Sequence, residues 1–168
     1  MEELEGLPKR NVIYQDSFQG LQFEELADKY HKLYLDGRGQ YLGRDQECPA
    51  LPQFLTDVGY TGRWQPGPRV IDRAFLIPGT VIANFKIVNG RPKFPCENGW
   101  HVGLFGKFWR GAMMTNGLPC EFSMFDQYHG KPAGWRGVAT LTPEWKKAHP
   151  DKAKPANDAS EYYVVAVP

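Results

Sequence analysis

The stretch GQYLGRDQECPALPQFLTDVG, residues 39–59, places a cysteine where a polar, glycine-bearing loop turns into a short apolar segment. Ala50, Leu51, Phe54, Leu55 and Val58 recur at helical spacing, which predicts a helix beginning at Cys48. Pro49 and Pro52 fit that start, because N–H groups in a first helical turn have no intrahelical acceptor to lose. A thiol there faces free N–H groups and the positive end of the helix dipole, and both favour thiolate over thiol. The same N–H groups suit a developing oxyanion. The competing role for a lone cysteine is that of a small buried core residue, which is the commoner one. A nucleophile needs more: a base close by and a third group to orient that base.

Working outward, LQFEELADKYHKLYLDG (21–37) predicts an amphipathic helix with Leu21, Leu26, Tyr30, Leu33 and Tyr34 inward and Gly37 as its stop. After a long connection come strand-like runs bounded by turn residues: TVIANFKIV (80–88), WHVGLFGKFW (100–109), CEFSMFDQY (120–128), GVATLT (137–142) and YYVVAV (162–167). Between the last two, PEWKKAHPDKAKPANDAS reads as a short helix start and then a mobile polar loop at about 146–160. Helices first and an antiparallel sheet after them make the fold class α+β. A length of 168 residues suits a single domain over 1–168.

Two strand residues bear on the cysteine. His101 opens its strand, and alternation puts His101, Gly103 and Phe105 on one face and Val102 and Leu104 on the other. Pairing Phe105 with Phe122 sets Gly103 against Met124 and His101 against Asp126, on one face and within reach of a hydrogen bond. Taken alone, His101 reads equally well as a residue closing a strand, and Asp126 as a strand-end acid. Together they give an ordered set: cysteine at a helix start, histidine at a strand start, aspartate on the neighbouring strand.

Bulk composition excludes several partners. Twenty basic against nineteen acidic residues leave a net charge of +1, so nothing electrostatic favours nucleic acid or an anionic membrane. No apolar run has the length to span a bilayer, which excludes membrane insertion. The start, MEELEGLPKRNVIYQ, is acidic where a signal peptide is basic, so synthesis in the cytoplasm without a signal peptide is expected. Three cysteines argue against a disulfide framework and leave at least one thiol free.

The ordered set resembles the papain-like cysteine peptidases of the NlpC type, which cut the peptide part of bacterial cell walls, over about residues 46–136. ECPAL (47–51) resembles their nucleophile helix, and GTVIANF (79–85) with NGWHVGLF (98–105) resembles their strand pair. FDQYHGKPAGWRGV (125–138) resembles a segment of a smaller bacterial group that includes type VI secretion amidase effectors. The resemblance implies a nucleophile helix packed on an antiparallel sheet, with Cys48 as nucleophile, His101 as general base and Asp126 orienting it. It implies hydrolysis of an amide in peptidoglycan stem peptides or cross-links, no cofactor and no metal. It also implies a cognate immunity protein, involvement of a secretion apparatus, and action in the periplasm of a target bacterium. Gln40 and Tyr41 are further candidates for an oxyanion donor, as polar residues so placed are in related enzymes. Two other readings stay open: a papain-fold peptidase or transamidase acting on proteins, and a non-enzymatic wall-binding module.

Other residues carry weaker signals. Cys96 and Cys120 fall at opposite ends of the expected hairpin, which disfavours a disulfide between them. A zinc site from Cys48, Cys96, His101 and Cys120 lacks the close pair that common zinc motifs contain. Trp64, Trp100, Trp109, Trp135 and Trp145 read first as packing and second as a platform for sugar or peptide. His31 and His149 read as solvated, and His129 as a substitute base should His101 fail.

Overall fold

Period-two alternation builds this architecture, because each strand sends apolar side chains to both faces of one sheet. The computed structural model describes residues 8–108 and 121–168. Along the chain run β1 (Arg10–Asn11), α1 (Phe23–Leu35), α2 (Ala50–Leu55), β2 (Gln65–Arg69), β3 (Val81–Ala83), β4 (Lys86–Val88) and β5 (Arg91–Lys93). Then follow β6 (Val102–Phe108), β7 (Glu121–Tyr128), β8 (Lys131–Ala139), α3 (Pro143–Ala148) and β9 (Tyr163–Val167). The main sheet has the order β1-β9-β3-β6-β7-β8, with β2 also on β9, and its strand pairs are antiparallel.

One face carries Val102, Leu104, Phe125 and Ala133 against α1 and α2, and Cys48 belongs to this cluster. The other carries Phe105, Phe122, Met124 and Val138 against Val70, Ile71 and Tyr162. The sorting of Phe105 from Val102 and Leu104 is the one expected from alternation. Helix α1 buries Phe23, Leu26, Ala27 and Tyr30, and the left-handed Gly37 (φ +77°) follows its end. Its Phe23 ring meets Trp135 of β8 edge-on at 5.7 Å, which fixes the helix across the sheet.

Gly103 marks the tightest point of the β6–β7 pair. A Cβ there would lie 2.6 Å from Met124 Cγ and 3.1 Å from Asp126 Cβ, and both side chains are fully buried. Gly103→Ala is therefore expected to destabilise the fold by about 1–3 kcal/mol through overpacking, measured by urea denaturation.

Three expectations change. The run 80–88 divides, since Asn84 turns inward to donate to the carbonyls of Pro155 and Glu161, and β4 leaves to pair with β5. Strand β8 starts at Lys131, well before the expected Gly137. It lies last in the sheet order, where Pro132 is tolerated, so the glycines and proline of KPAGWRG do not break it. The polar segment at 146–160 is a series of short helical turns, not a plain loop. Buried Asp158 organises it, accepting from Ser160 Oγ at 2.8 Å and pairing with Lys146 at 2.8 Å.

Candidate active site

The β6–β7 register decides whether His101 and Asp126 meet. Leu104 pairs with Phe125 and Phe105 with Met124, with a bulge before Phe108 and Phe122. This corrects the expected Phe105–Phe122 pairing by a slip of two residues. Because side chains alternate with period two, such a slip keeps every residue on its face. Extending the observed register sets His101 beside Tyr128, whose ring lies 5.8 Å from the imidazole, with Asp126 on the diagonal. The diagonal contact closes: His101 Nε2 is 2.7 Å from Asp126 Oδ2.

Asp126 is completely buried, and three cationic or ionisable groups surround it. Arg136 Nε donates to Oδ2 at 2.8 Å, and Lys131 Nζ donates to Oδ1 at 3.0 Å. Burial alone would raise its pKa, but His101, Arg136 and Lys131 together hold it below the usual carboxylate range. Arg136 and Lys131 were not anticipated from the sequence. Both stand on β8, in a segment that lies between the expected strands 120–128 and 137–142, and only the pairing of β8 with β7 brings them to Asp126. The His101 backbone is fixed as well: its N–H donates to Asn84 Oδ1 at 3.0 Å, and its carbonyl accepts from Asn84 N–H at 3.0 Å. With Nε2 committed to Asp126, Nδ1 is the ring nitrogen left to exchange a proton.

Cys48 and His101 line one cleft of about 760 Å³, together with Glu97, Trp100, Tyr128 and Arg136. Asp126 lies behind His101, outside the lining. Helix α2 starts at Ala50, two residues later than expected, and Pro49 is its N-cap. The expected lowering of the thiol pKa does not hold. Burial pushes the Cys48 thiol up to about 12, and the Val102 backbone N–H at the start of β6 offsets only part of this. A helix of six residues is too short to outweigh desolvation of a thiol only 9% exposed. His101 moves the other way: burial lowers its pKa, and together with the charges of Arg136 and Lys131 it outweighs Asp126, which raises it. The resting pair at neutral pH is a thiol and a neutral imidazole.

These shifts fix the pH dependence of stability. His101 and Asp126 both have folded pKa values below their ordinary ones of 6.5 and 3.8. Their stabilisation is complete above pH 6.5 and is lost as pH falls through the folded values, with His101 acting first. For Cys48, whose folded pKa is raised, stabilisation is complete below its ordinary value of 9.0 and is lost as pH rises toward about 12. Thermal melts across pH are expected to show less alkaline loss in Cys48→Ala, and less loss just below pH 6.5 in His101→Ala, than in the wild type.

The remaining candidates fall elsewhere. The Tyr41 hydroxyl accepts from Gly130 N–H and the Gln40 backbone carbonyl from Ala133 N–H, and neither residue is among those lining the cleft. His31 is not merely solvated, since its Nδ1 accepts from Trp135 N–H at 3.0 Å. His149 stacks on Trp145, while His129 lines the cleft rim. Trp64 is core, with its indole N–H on the Val58 and Gly59 carbonyls, and Trp100 reaches the cleft. Trp109 and Cys120 lie outside the described residues, and with them the question of a Cys96–Cys120 bond. Among the described residues Cys48 and Cys96 form no disulfide. Among the described residues no group of three or more metal-binding side chains assembles.

A scan against protein-family models returns no match, and neither does a search of curated proteins. Among solved structures, the chain matches type 6 secretion amidase effector 2 (Tae2) with a TM-score of 0.56 and 21% identity, over 93% of this chain and 94% of that one. The fold is the Tae2 fold. It is the papain-like α+β arrangement expected from the sequence, with the helix that follows Cys48 set against an antiparallel sheet. Among the described residues no helix is long and apolar enough to cross a membrane.

Proposed function

We propose that this chain is a cysteine amidase that hydrolyses an amide bond in peptidoglycan stem peptides or cross-links. The reading is carried by one observation: a buried His101–Asp126 pair at 2.7 Å opens onto the cleft that Cys48 lines. The likeness to a type 6 secretion amidase effector supports amide hydrolysis, and the resemblance of the sequence to wall-cutting peptidases suggests the wall peptide as substrate class. On this reading the chain works as one domain and is a type VI secretion effector that acts in the periplasm of a target bacterium. An immunity protein in the producing cell would block the cleft around Cys48.

The chemistry starts from a neutral pair, so proton transfer accompanies attack. His101 Nδ1 takes the Cys48 proton as the sulfur adds to the scissile carbonyl carbon. Asp126 accepts the Nε2–H bond and stabilises the imidazolium that forms. The tetrahedral oxyanion needs backbone donors, and few are available. Pro49 has no N–H, and the Ala50 N–H already donates to the Glu47 carbonyl, so the backbone N–H of Cys48 itself is assigned to the oxyanion. His101 then gives its proton to the leaving amine nitrogen as the C–N bond breaks. Water attacks the thioester, loses a proton to His101 and releases the carboxylate, and the thiol is regenerated.

Directing the protein to the periplasm of a Gram-negative host with an added signal peptide is expected to lyse the cells. The same protein kept in the cytoplasm, or Cys48→Ala in the periplasm, is expected to leave growth unchanged. Growth unaffected by periplasmic wild type present at normal levels would reject the wall as target.

A further inference from the structure

We infer that Gln127 is a positioning residue that sets the place of the Cys48 thiol relative to His101, a role that rests on the cysteine–histidine reading above. Asp126 and Gln127 are consecutive on β7 and so project to opposite faces of the sheet. Asp126 turns to His101, while Gln127 turns to the loop that delivers Cys48. Its amide is completely buried. Oε1 accepts from Leu42 N–H at 2.7 Å, and Nε2 donates to the Leu42 carbonyl at 2.9 Å and to the carbonyls of Asp45 and Glu47 at 3.2 Å each. The orientation of the amide is unambiguous, since a flipped group would turn an oxygen on three carbonyl oxygens.

The last of these contacts matters most. Glu47 directly precedes Cys48, and its carbonyl also receives the Ala50 N–H at the start of α2. One side chain thus ties the loop on the cysteine's N-terminal side to the strand that carries the base-orienting aspartate. Core packing cannot do this, because Gly43, Arg44, Asp45, Gln46 and Glu47 are all exposed and polar or small. A segment without apolar anchors of its own is held by its backbone polar groups, and Gln127 supplies a partner for the Asp45 and Glu47 carbonyls within it and for the N–H and carbonyl of the buried Leu42 at its start. Backbone strands on either side of this point would keep the sheet intact without it. The specific consequence of losing Gln127 is a shift of the thiol, with the His101–Asp126 pair unmoved.

The test reads the thiol itself and needs no peptidoglycan. The rate of Cys48 alkylation by iodoacetamide is followed by peptide mass spectrometry across pH 5–10, in wild type, His101→Ala, Gln127→Met and Gln127→Glu. In wild type the rate is expected to follow His101, with an inflection on the acid side that His101→Ala removes. Gln127→Met, which fills the space but removes the partner of the Leu42 N–H and of the Leu42 and Asp45 carbonyls and leaves the Glu47 carbonyl to the Ala50 N–H alone, is expected to slow alkylation on the order of 10²-fold, the scale of a misplacement of about 1 Å. Its acid inflection should stay where it is. Gln127→Glu is expected to recover part of the rate, because a carboxyl forced to stay protonated by three carbonyls keeps one donor and one acceptor. Wild-type rates in a folded Gln127→Met protein would overturn the inference. So would an inflection that shifts together with the rate, or loss of the cooperative thermal transition in both variants, since either marks Gln127 as general structure. A wild type whose alkylation ignores His101→Ala would instead reject the underlying cysteine–histidine reading, an outcome visible before any Gln127 variant is compared.

Discussion

Asp126→Ala is expected to be the most destabilising single substitution in the site, by about 3–5 kcal/mol, measured by urea denaturation. The carboxylate is fully buried between His101, Lys131 and Arg136, with contacts of 2.7, 3.0 and 2.8 Å. Removing it leaves Lys131, itself only 8% exposed, and Arg136 as neighbouring charges without their shared counter-ion. Arg136 keeps its bonds to the Ala156 carbonyl and the Tyr162 hydroxyl, and Lys131 its bonds to the carbonyls of Asp126, Pro132 and Gly134. These bonds satisfy donors but do not neutralise charge. Asp126→Asn separates stability from catalysis. It removes the negative charge while filling the space, and a wrong orientation or tautomer of His101 is then expected to lower turnover by about 10⁴-fold, the effect of the matching change in a serine triad. Little change in turnover with Asp126→Asn would mean that Asp126 serves the fold alone.

Much of this site is legible in the sequence because local rules carry it. Cysteine before an apolar helix, histidine before an apolar strand and aspartate on the next strand are each short-range patterns. The face shared by His101 and Asp126 survived a register error, since a slip of two residues conserves alternation where a slip of one would have separated them. What stayed hidden depends on tertiary pairing. KPAGWRG has the composition of a turn, and only its place at the sheet edge makes it β8, so Lys131 and Arg136 could not be assigned to Asp126. Asn84 and Gln127 reach backbone groups 17 and 85 residues away, a distance at which sequence spacing carries no signal. The thiol pKa failed for a different reason. A helix dipole can be read from a motif, but the desolvation that opposes it comes from side chains distant in the chain.

Cys48→Ala is expected to remove hydrolysis altogether, a loss on the order of 10⁶-fold in turnover, as when other covalent catalysts lose their nucleophile. Cys96 also lines the cleft, but it sits on a loop with a left-handed backbone (φ +52°), its Sγ 3.9 Å from the Thr61 hydroxyl, and it is not paired with the His101–Asp126 dyad. The fold should persist, because alanine removes one atom from a site at the end of a large core. The same substitution separates the three functional readings. A wall amidase loses its product, a protein-directed peptidase never forms that product, and a binding module is unaffected. The direct measurement is digestion of purified peptidoglycan by wild type and Cys48→Ala, with soluble fragments identified by mass spectrometry. The account predicts stem-peptide fragments with one newly exposed carboxyl and amine from the wild type, and intact wall with the variant. Intact wall in both, with the wild type folded and its thiol reduced, would contradict it, as would equal release by the variant.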